Sequence, residues 1–369
     1  MDRPDRRTFI ASGAALAAVS VSRPVFGAST SVDSVYQDAI VIDTLSLEAP
    51  SFDPRPAIAA GLTGVVLDLM AYPRTAETAT AELDKWSAAF AAENSPYRAI
   101  LKAADFRTAK EQKAFAIVLA SQDAGILGTP LYANGTENID TLHTLYGKGL
   151  RVLQLTYTTN NGLGGGYSDI YDGGLARLGI AAVTEMNRLG MLIDTSHSGE
   201  KTTLEAIRLS RRPVAATHAG CYSLYPDKRN KSDKVIRALA DKGGYMGIYN
   251  MTMWMTRGPT SSVETIVDHV DHAVKIGGID LVGFGSDHVI MGDHRTQSDK
   301  VKEMTNFVGR NKGFPGGEPM NGHVTANDLD GPDRMYVLAK ALDRRGYRSE
   351  AIEKILGANF VRVFGGACG

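Results

Sequence analysis

Eight short runs of apolar, β-prone residues recur along this chain, each separated from the next by enough residues for a helix. They are Ala39–Asp43, Gly64–Met70, Ala114–Ser121, Arg151–Thr156, Met191–Ser196, Pro213–Thr217, Gly244–Tyr249 and Asp280–Gly285. Most are continuously apolar rather than alternating, the pattern of parallel strands covered on both faces. Helical patterns fill the spacers at Ala76–Lys102, Ala176–Arg188, Glu200–Leu209, Asp233–Lys242 and Val263–Lys275, and an amphipathic helix, Ser349–Leu356, closes the chain before Gly357-Ala358-Asn359-Phe360. Eight βα units predict an α/β protein of the (β/α)8 (TIM) barrel type. An open doubly wound sheet is the alternative, and the strand count favours the barrel. With 369 residues, 43% of them hydrophobic, the chain is long enough for one such core.

The first residues read as a separate device. Asp5-Arg6-Arg7-Thr8-Phe9-Ile10 is a twin-arginine pattern, followed by a mild, Ala-rich apolar run from Ile10 to Val21 and a small-residue cleavage site at Val25-Phe26-Gly27. Residues 1–27 are therefore expected to be an export signal that is removed, leaving 28–369 as a single barrel domain with loop insertions in the periplasm. The run is too short and too weakly apolar to be a stable membrane span.

Formal net charge is −1, so nothing in the composition points to nucleic acid. Two cysteines, Cys221 and Cys368, exclude a four-cysteine zinc site or iron–sulfur cluster built from this chain alone; an oxidising periplasm would let them pair, or they are two unrelated thiols.

Chemistry concentrates at the ends of the later strands. Met191-Leu192-Ile193-Asp194-Thr195-Ser196-His197 and Pro213-Val214-Ala215-Ala216-Thr217-His218 each end in a histidine, one βα unit apart. A parallel barrel brings two such residues side by side at its mouth, and neutral imidazoles bind zinc and similar metals. Asp287 ends the last strand in Val282-Gly283-Phe284-Gly285-Ser286-Asp287, where it is placed to act as a base or ligand, or else to cap a following helix. Arg229, eleven residues after His218, presents a fork that fits a carboxylate, although a surface loop arginine reads the same way. His269 and His272 share one helix face before the last strand and are expected to be structural. The glycine-rich stretch Asn160–Gly174 reads as a flexible loop over the site or as a plain surface loop, and His294 to His323 as a further loop at the same face. There is no Gly-x-Ser-x-Gly elbow.

Together these segments resemble the membrane dipeptidase (renal dipeptidase, peptidase M19) family. The resemblance lies in Glu185 to His197, Thr217-His218 through Arg229-Asn230, Gly278-Ile279-Asp280 through Ser286-Asp287, and Gly357 to Phe364, with order and spacing kept from about residue 38 to 364. It implies a metallo-dependent-hydrolase-like barrel with a two-zinc centre, whose activated water attacks the amide of a dipeptide, and it implies a homodimer. By position, His197 and His218 correspond to two ligands of one zinc, Arg229 to the residue holding the substrate carboxylate, and Asp287 to the acid/base.

Four positions depart from the family pattern. Leu45 and Leu47 stand where a His-x-Asp pair binds the other zinc, Gln122 stands at the metal-bridging glutamate, and Tyr157 replaces a substrate-binding histidine. Leucine cannot bind zinc, and a neutral amide bridges metals poorly. The expectation is one zinc or none, on His197 and His218, completed by Asp287, Gln122 or water; Asp43, Glu48 and Asp123 are the nearby carboxylates that could substitute. Three readings follow: an exported dipeptidase-like hydrolase of a small carboxylate-bearing amide, a non-hydrolytic enzyme such as an isomerase or peptide-maturation enzyme working by metal-free acid–base chemistry, and a non-catalytic periplasmic binding protein.

Overall fold

The computed structural model describes residues 31–70, 73–128, 136–256, 261–292 and 325–369. The export motif and the His294–His323 loop lie outside these residues. Residues 31–369 form one compact unit.

Among the described residues nine parallel strands make the sheet: β1 (Ile42–Ser46), β2 (Gly64–Asp68), β3 (Tyr97–Ala99), β4 (Phe115–Ser121), β5 (Val152–Gln154), β6 (Leu192–Asp194), β7 (Val214–Ala219), β8 (Tyr245–Ile248) and β9 (Val282–Phe284). Eight of them follow the order β1-β2-β4-β5-β6-β7-β8-β9 and correspond to the eight predicted runs, six with shorter ends and β1 and β7 shifted toward the C-terminus, to Ser46 and Ala219. The sheet curls into a (β/α)8 barrel whose seam, between β9 and β1, is held by single contacts instead of a ladder. Asp287 N donates to Leu45 O at 3.0 Å, and Ser286 N donates to Asp43 Oδ1 at 2.7 Å.

β3 is a correction to the expected helix Ala76–Lys102. The helix ends at Ala91, Asn94 takes a left-handed conformation, and Pro96 forces extended backbone before Tyr97. Tyr97 then packs edge-on against Trp86 of that helix. β3 pairs with the first three residues of β4, a stretch that β5 does not reach.

Alternation along the strands separates two cores. Val65, Leu67, Ile117, Leu119, Leu153, Ile193 and Met246 face the outer helices. Ile42, Val66, Ala116, Val118, Val152, Leu192, Ala215 and Tyr245 fill the lumen. The N-terminal end of the lumen is plugged by Phe360 and Phe364 from the last helix, Asn359–Cys368, and by Phe106, whose ring meets theirs edge-on at 6.2 and 5.7 Å. The closing helix breaks at Gly357 as expected: extended backbone there (φ 170) kinks the chain between Ser349–Glu353 and the plug helix. Gly357 is required there because a Cβ would lie 2.2 Å from Ile40 O.

Two residues further along five of these strands the lumen turns polar. Thr44, Asp68, Gln154, Asp194 and Thr217 follow Ile42, Val66, Val152, Leu192 and Ala215 on the same face, and all are buried. Thr44 Oγ1 shares its proton between Thr217 O (2.7 Å) and Phe284 O (2.9 Å), tying β1 to β7 and β9. A Cβ at Gly247 or Gly285 would stand 2.0 or 2.2 Å from that same Thr217 carbonyl. This polar layer is the floor of the mouth.

Candidate functional site

Above the floor, His197, His218 and Asp287 converge, with one donor atom from each lying within 4.8 Å of the others. All three are buried, His218 completely. The two histidine Nε2 atoms are 3.0 Å apart. Nitrogens at that distance share a proton or flank a cation.

The tautomer of His218 follows from its neighbours. Thr217 Oγ1 donates to Asp194 Oδ2 at 2.6 Å, so at its 2.9 Å contact with His218 Nδ1 it accepts. The ring proton is therefore on Nδ1, and the Nε2 lone pair faces the cluster. Asp194 Oδ1 accepts from Ser196 Oγ (2.6 Å), Ser196 N (2.9 Å) and Thr217 N (3.1 Å), which fixes the ends of β6 and β7 together. A carboxylate orienting a histidine is a common support for a metal ligand, here relayed by a hydroxyl.

Burial, with the charges of Arg229, His218, Lys231 and Arg74, pushes the His197 pKa well down. Burial, Arg229 and Lys231 do the same to His218. Both imidazoles are thus neutral near pH 7, the form that binds a metal. Asp287 sits in a left-handed conformation (φ +58) that puts its carboxylate over the histidines. Burial raises its pKa to about 7, against the lowering pull of Arg229. The donor set, two neutral imidazoles and one carboxylate, fits a single zinc with an open fourth position.

Arg229 is buried in the wall of the mouth. The loop after β7 folds back, with Lys231 N donating to Gly220 O and Tyr222 N to Lys231 O. The guanidinium donates to Ser196 O at 2.7 Å and His218 O at 3.0 Å, and rings of Tyr249, Trp254 and Tyr167 surround it at 5.1, 5.5 and 5.7 Å. Its Nε has no partner. Tyr157 stacks on His197 at 4.4 Å. The Gln122 amide meets Asp68, with Nε2 3.4 Å from Asp68 Oδ2, and its Oε1 has no hydrogen-bond partner. Leu45 is buried beside the seam.

The other nearby carboxylates have different partners. Asp43 faces Arg334 at 3.6 Å, Glu48 accepts from Ile290 N, and Asp123 caps the turn Ala124–Leu127. His269 accepts from Cys221 N and His272 pairs with Asp233, both as structural residues. Cys221 and Cys368 are free thiols.

The glycine-rich loop is tied down along its length. Asp172 Oδ2 accepts from Lys201 N (2.6 Å) and Thr202 N (3.1 Å), capping the helix Glu200–Leu209, while Oδ1 accepts from Thr202 Oγ1 (2.7 Å). Glu205 Oε2 accepts from Leu175 N. The loop thus serves as a fixed rim and contributes Tyr167 to the Arg229 cage.

Four site residues were missed by sequence reasoning. Asp194 and Thr217 were signalled, as polar residues on the lumen face of apolar strands. Arg74 and Lys231 carry no motif. Lys231 is buried, donates to Thr195 O (2.7 Å) and Ser198 O (3.0 Å), and burial together with Arg229 lowers its pKa to about 7.

A (β/α)8 barrel with a His-His-Asp cluster at its mouth defines a metallohydrolase-type scaffold. The sequence profile of membrane dipeptidases (peptidase family M19) matches residues 67–310, and the chain belongs to that family. An uncharacterized dipeptidase of Schizosaccharomyces pombe is 30% identical over 258 residues, covering 67% of this chain and 55% of the relative. Dipeptidase verJ of Clonostachys rogersoniana is 30% identical over 60% of this chain and 50% of its own length. The chain thus spans about half the length of these relatives. Among solved structures, an amidohydrolase from Pseudomonas aeruginosa superposes with a TM-score of 0.77 at 26% identity, over 92% of this chain and 100% of that one. The probable dipeptidase PvdM from the same organism shares the fold at TM-score 0.73 and 19% identity, over 91% of this chain and 97% of its own.

Proposed function

We propose that this chain is an exported dipeptidase-like hydrolase that cleaves the amide of a dipeptide or similar small carboxylate-bearing substrate, with a single zinc. The observation that carries the reading is the convergence of His197, His218 and Asp287, with His218 locked by the Thr217–Asp194 relay into the tautomer a metal needs. Zinc held by these residues would polarise the scissile carbonyl and lower the pKa of a bound water.

The chain's own residues account for the remaining work. Asp287 accepts the water's proton as oxygen adds to the carbonyl carbon, and returns it to the nitrogen as the C–N bond breaks. Arg229 holds the ends of β6 and β7 and offers its unpartnered Nε–H to a substrate carboxylate. Tyr157 walls the site beside His197. Leu45 and Leu47 offer a second metal no ligand, and the Gln122 amide is engaged with Asp68. The Arg6-Arg7 motif supports export to the periplasm by twin-arginine translocation. Among the described residues no helix is long and apolar enough to cross a membrane.

Metal analysis of protein purified from the periplasm, combined with a panel of dipeptides and their C-terminal amides, tests this. About one zinc per chain is expected, with turnover that needs a free carboxylate and is lost in His197→Ala. Two tightly held zincs would refute the single-metal reading. Turnover that survives chelators would favour metal-free acid–base chemistry, and binding without turnover a binding protein. Arg6→Lys with Arg7→Lys should retain the protein in the cytoplasm.

A further inference from the structure

The two imidazoles of the cluster are held by different means. His218 has its Nδ1 fixed by Thr217 Oγ1 at 2.9 Å. His197 Nδ1 is buried and has no hydrogen-bond partner. An imidazole can turn about the bond that joins its ring to the chain, and a hydrogen bond to the nitrogen away from the metal normally sets that angle. His197 lacks that bond, so its plane is set by packing.

Two aromatic rings bear on it. The Tyr157 ring is stacked on His197, with centroids 4.4 Å apart and planes 17° apart. The Tyr167 ring is tilted by 58° at 5.7 Å. A near-parallel stack at the Tyr157 spacing resists rotation, because turning the imidazole drives its edge into the tyrosine face. The backbone of His197 is fixed as well, since its carbonyl accepts from Tyr167 N at 2.8 Å.

Tyr157 is anchored in turn. Thr156, just before it, donates to Ser198 Oγ, just after His197, at 3.0 Å. The guanidinium carbon of Arg74 lies 4.7 Å from the Tyr157 centroid, and Arg74 pairs with buried Asp68 at 3.7 Å. Asp68 ends β2 and accepts from Gln122 N at 2.9 Å. The support of His197 thus reaches back to the ends of β2 and β4.

We propose that Tyr157 is a positioning residue for His197, setting the plane of this metal ligand by ring stacking in place of the hydrogen bond that sets His218. This role rests on the metal site proposed above and places Tyr157 on the protein's side of the metal, apart from any contact with substrate. A hydrogen bond at Nδ1 also lends basicity to a ligating imidazole. His218 has that help and His197 does not, so His197 is the weaker donor and depends the more on its placement.

The test is metal binding by the full chain carrying Tyr157→Phe, which keeps the ring, or Tyr157→Leu, which removes it. Zinc affinity is measured against a competing chelator, and the absorption bands of the cobalt(II) form report ligand geometry. Tyr157→Leu should weaken zinc binding about 10-fold and shift the cobalt bands, whereas Tyr157→Phe should retain both. Tyr157→Met gives the same comparison should the leucine variant not fold. A ring needed only for stability would lower the melting temperature and leave affinity and cobalt bands in place, which overturns the proposal. Equal losses in the phenylalanine and leucine variants would also overturn it, by placing the effect on the hydroxyl. Metal binding that depends on the Tyr157 ring, without dipeptide turnover, would keep this role and refute the hydrolase reading. Wild-type-like metal binding in Tyr157→Leu, with turnover of dipeptides by the wild type, would refute this role alone.

Discussion

The carboxylate of Asp43 accepts a hydrogen bond from the backbone N–H of Ser286 at 2.7 Å, joining the first strand to the residue before Asp287. Asp43 is fully buried, and its other oxygen faces Arg334 at 3.6 Å. Burial raises its pKa, while Arg334 opposes the shift. This buried ion pair therefore supports both the seam of the barrel and the aim of Asp287. Asp43→Ala should cost about 3–5 kcal/mol in urea melts, because it strands the Arg334 charge. Asp43→Ala with Arg334→Met should recover part of that loss.

Thr217→Val keeps the shape of the side chain and removes the relay between Asp194 and His218. Zinc affinity, measured against a competing chelator, should fall about 10–100-fold while the fold is retained. Unchanged affinity would show that His218 needs no such orientation.

The raised pKa of Asp287 has a consequence for metal-free protein. Between the ordinary carboxylate pKa and about 7, the native state holds a proton that the unfolded state has lost. Stability from this group is therefore intact at acid pH and declines as pH climbs to 7. Asp287→Asn removes the penalty and suits the left-handed backbone equally well. It should match wild type near pH 4 and exceed it at pH 8, by up to roughly 4 kcal/mol. Lys231, lowered to about 7, acts on the other side of neutrality, where stability rises with pH, and it cancels in the comparison. Equal stability of the two proteins at pH 8 would contradict the raised pKa.

Asp172→Ala should free the glycine-rich loop from the helix it caps. A loss of about 0.5–2 kcal/mol is expected, with faster hydrogen exchange confined to residues 160–175 and the start of helix Glu200–Leu209. Exchange unchanged there would mean that the other loop contacts suffice.

The barrel was legible because continuous apolar runs at βα spacing have few alternatives, and helix Glu200–Leu209 appears with the bounds its pattern predicts. β3 was not legible: Tyr97-Arg98-Ala99 is too short to carry a period, and only Pro96 marks it. His197, His218 and Asp287 stood out because strand ends converge in a barrel. Arg229 stood out too, but its aromatic cage comes from three separate segments and is invisible in one dimension. Arg74 escaped for the same reason, since it meets Asp68 and Tyr157, neither of them adjacent to it in sequence.

The plugged lumen settles the direction of traffic. Phe106, Phe360 and Phe364 stop the barrel at one end, and Thr44, Gly247 and Gly285 close tightly on the Thr217 carbonyl further along it. Among the described residues the barrel is closed at that end, so whatever enters by the mouth to react must leave by the route it took. Both fragments of a cleaved amide would queue at the same rim, and the slower to depart would set how soon the next molecule is admitted.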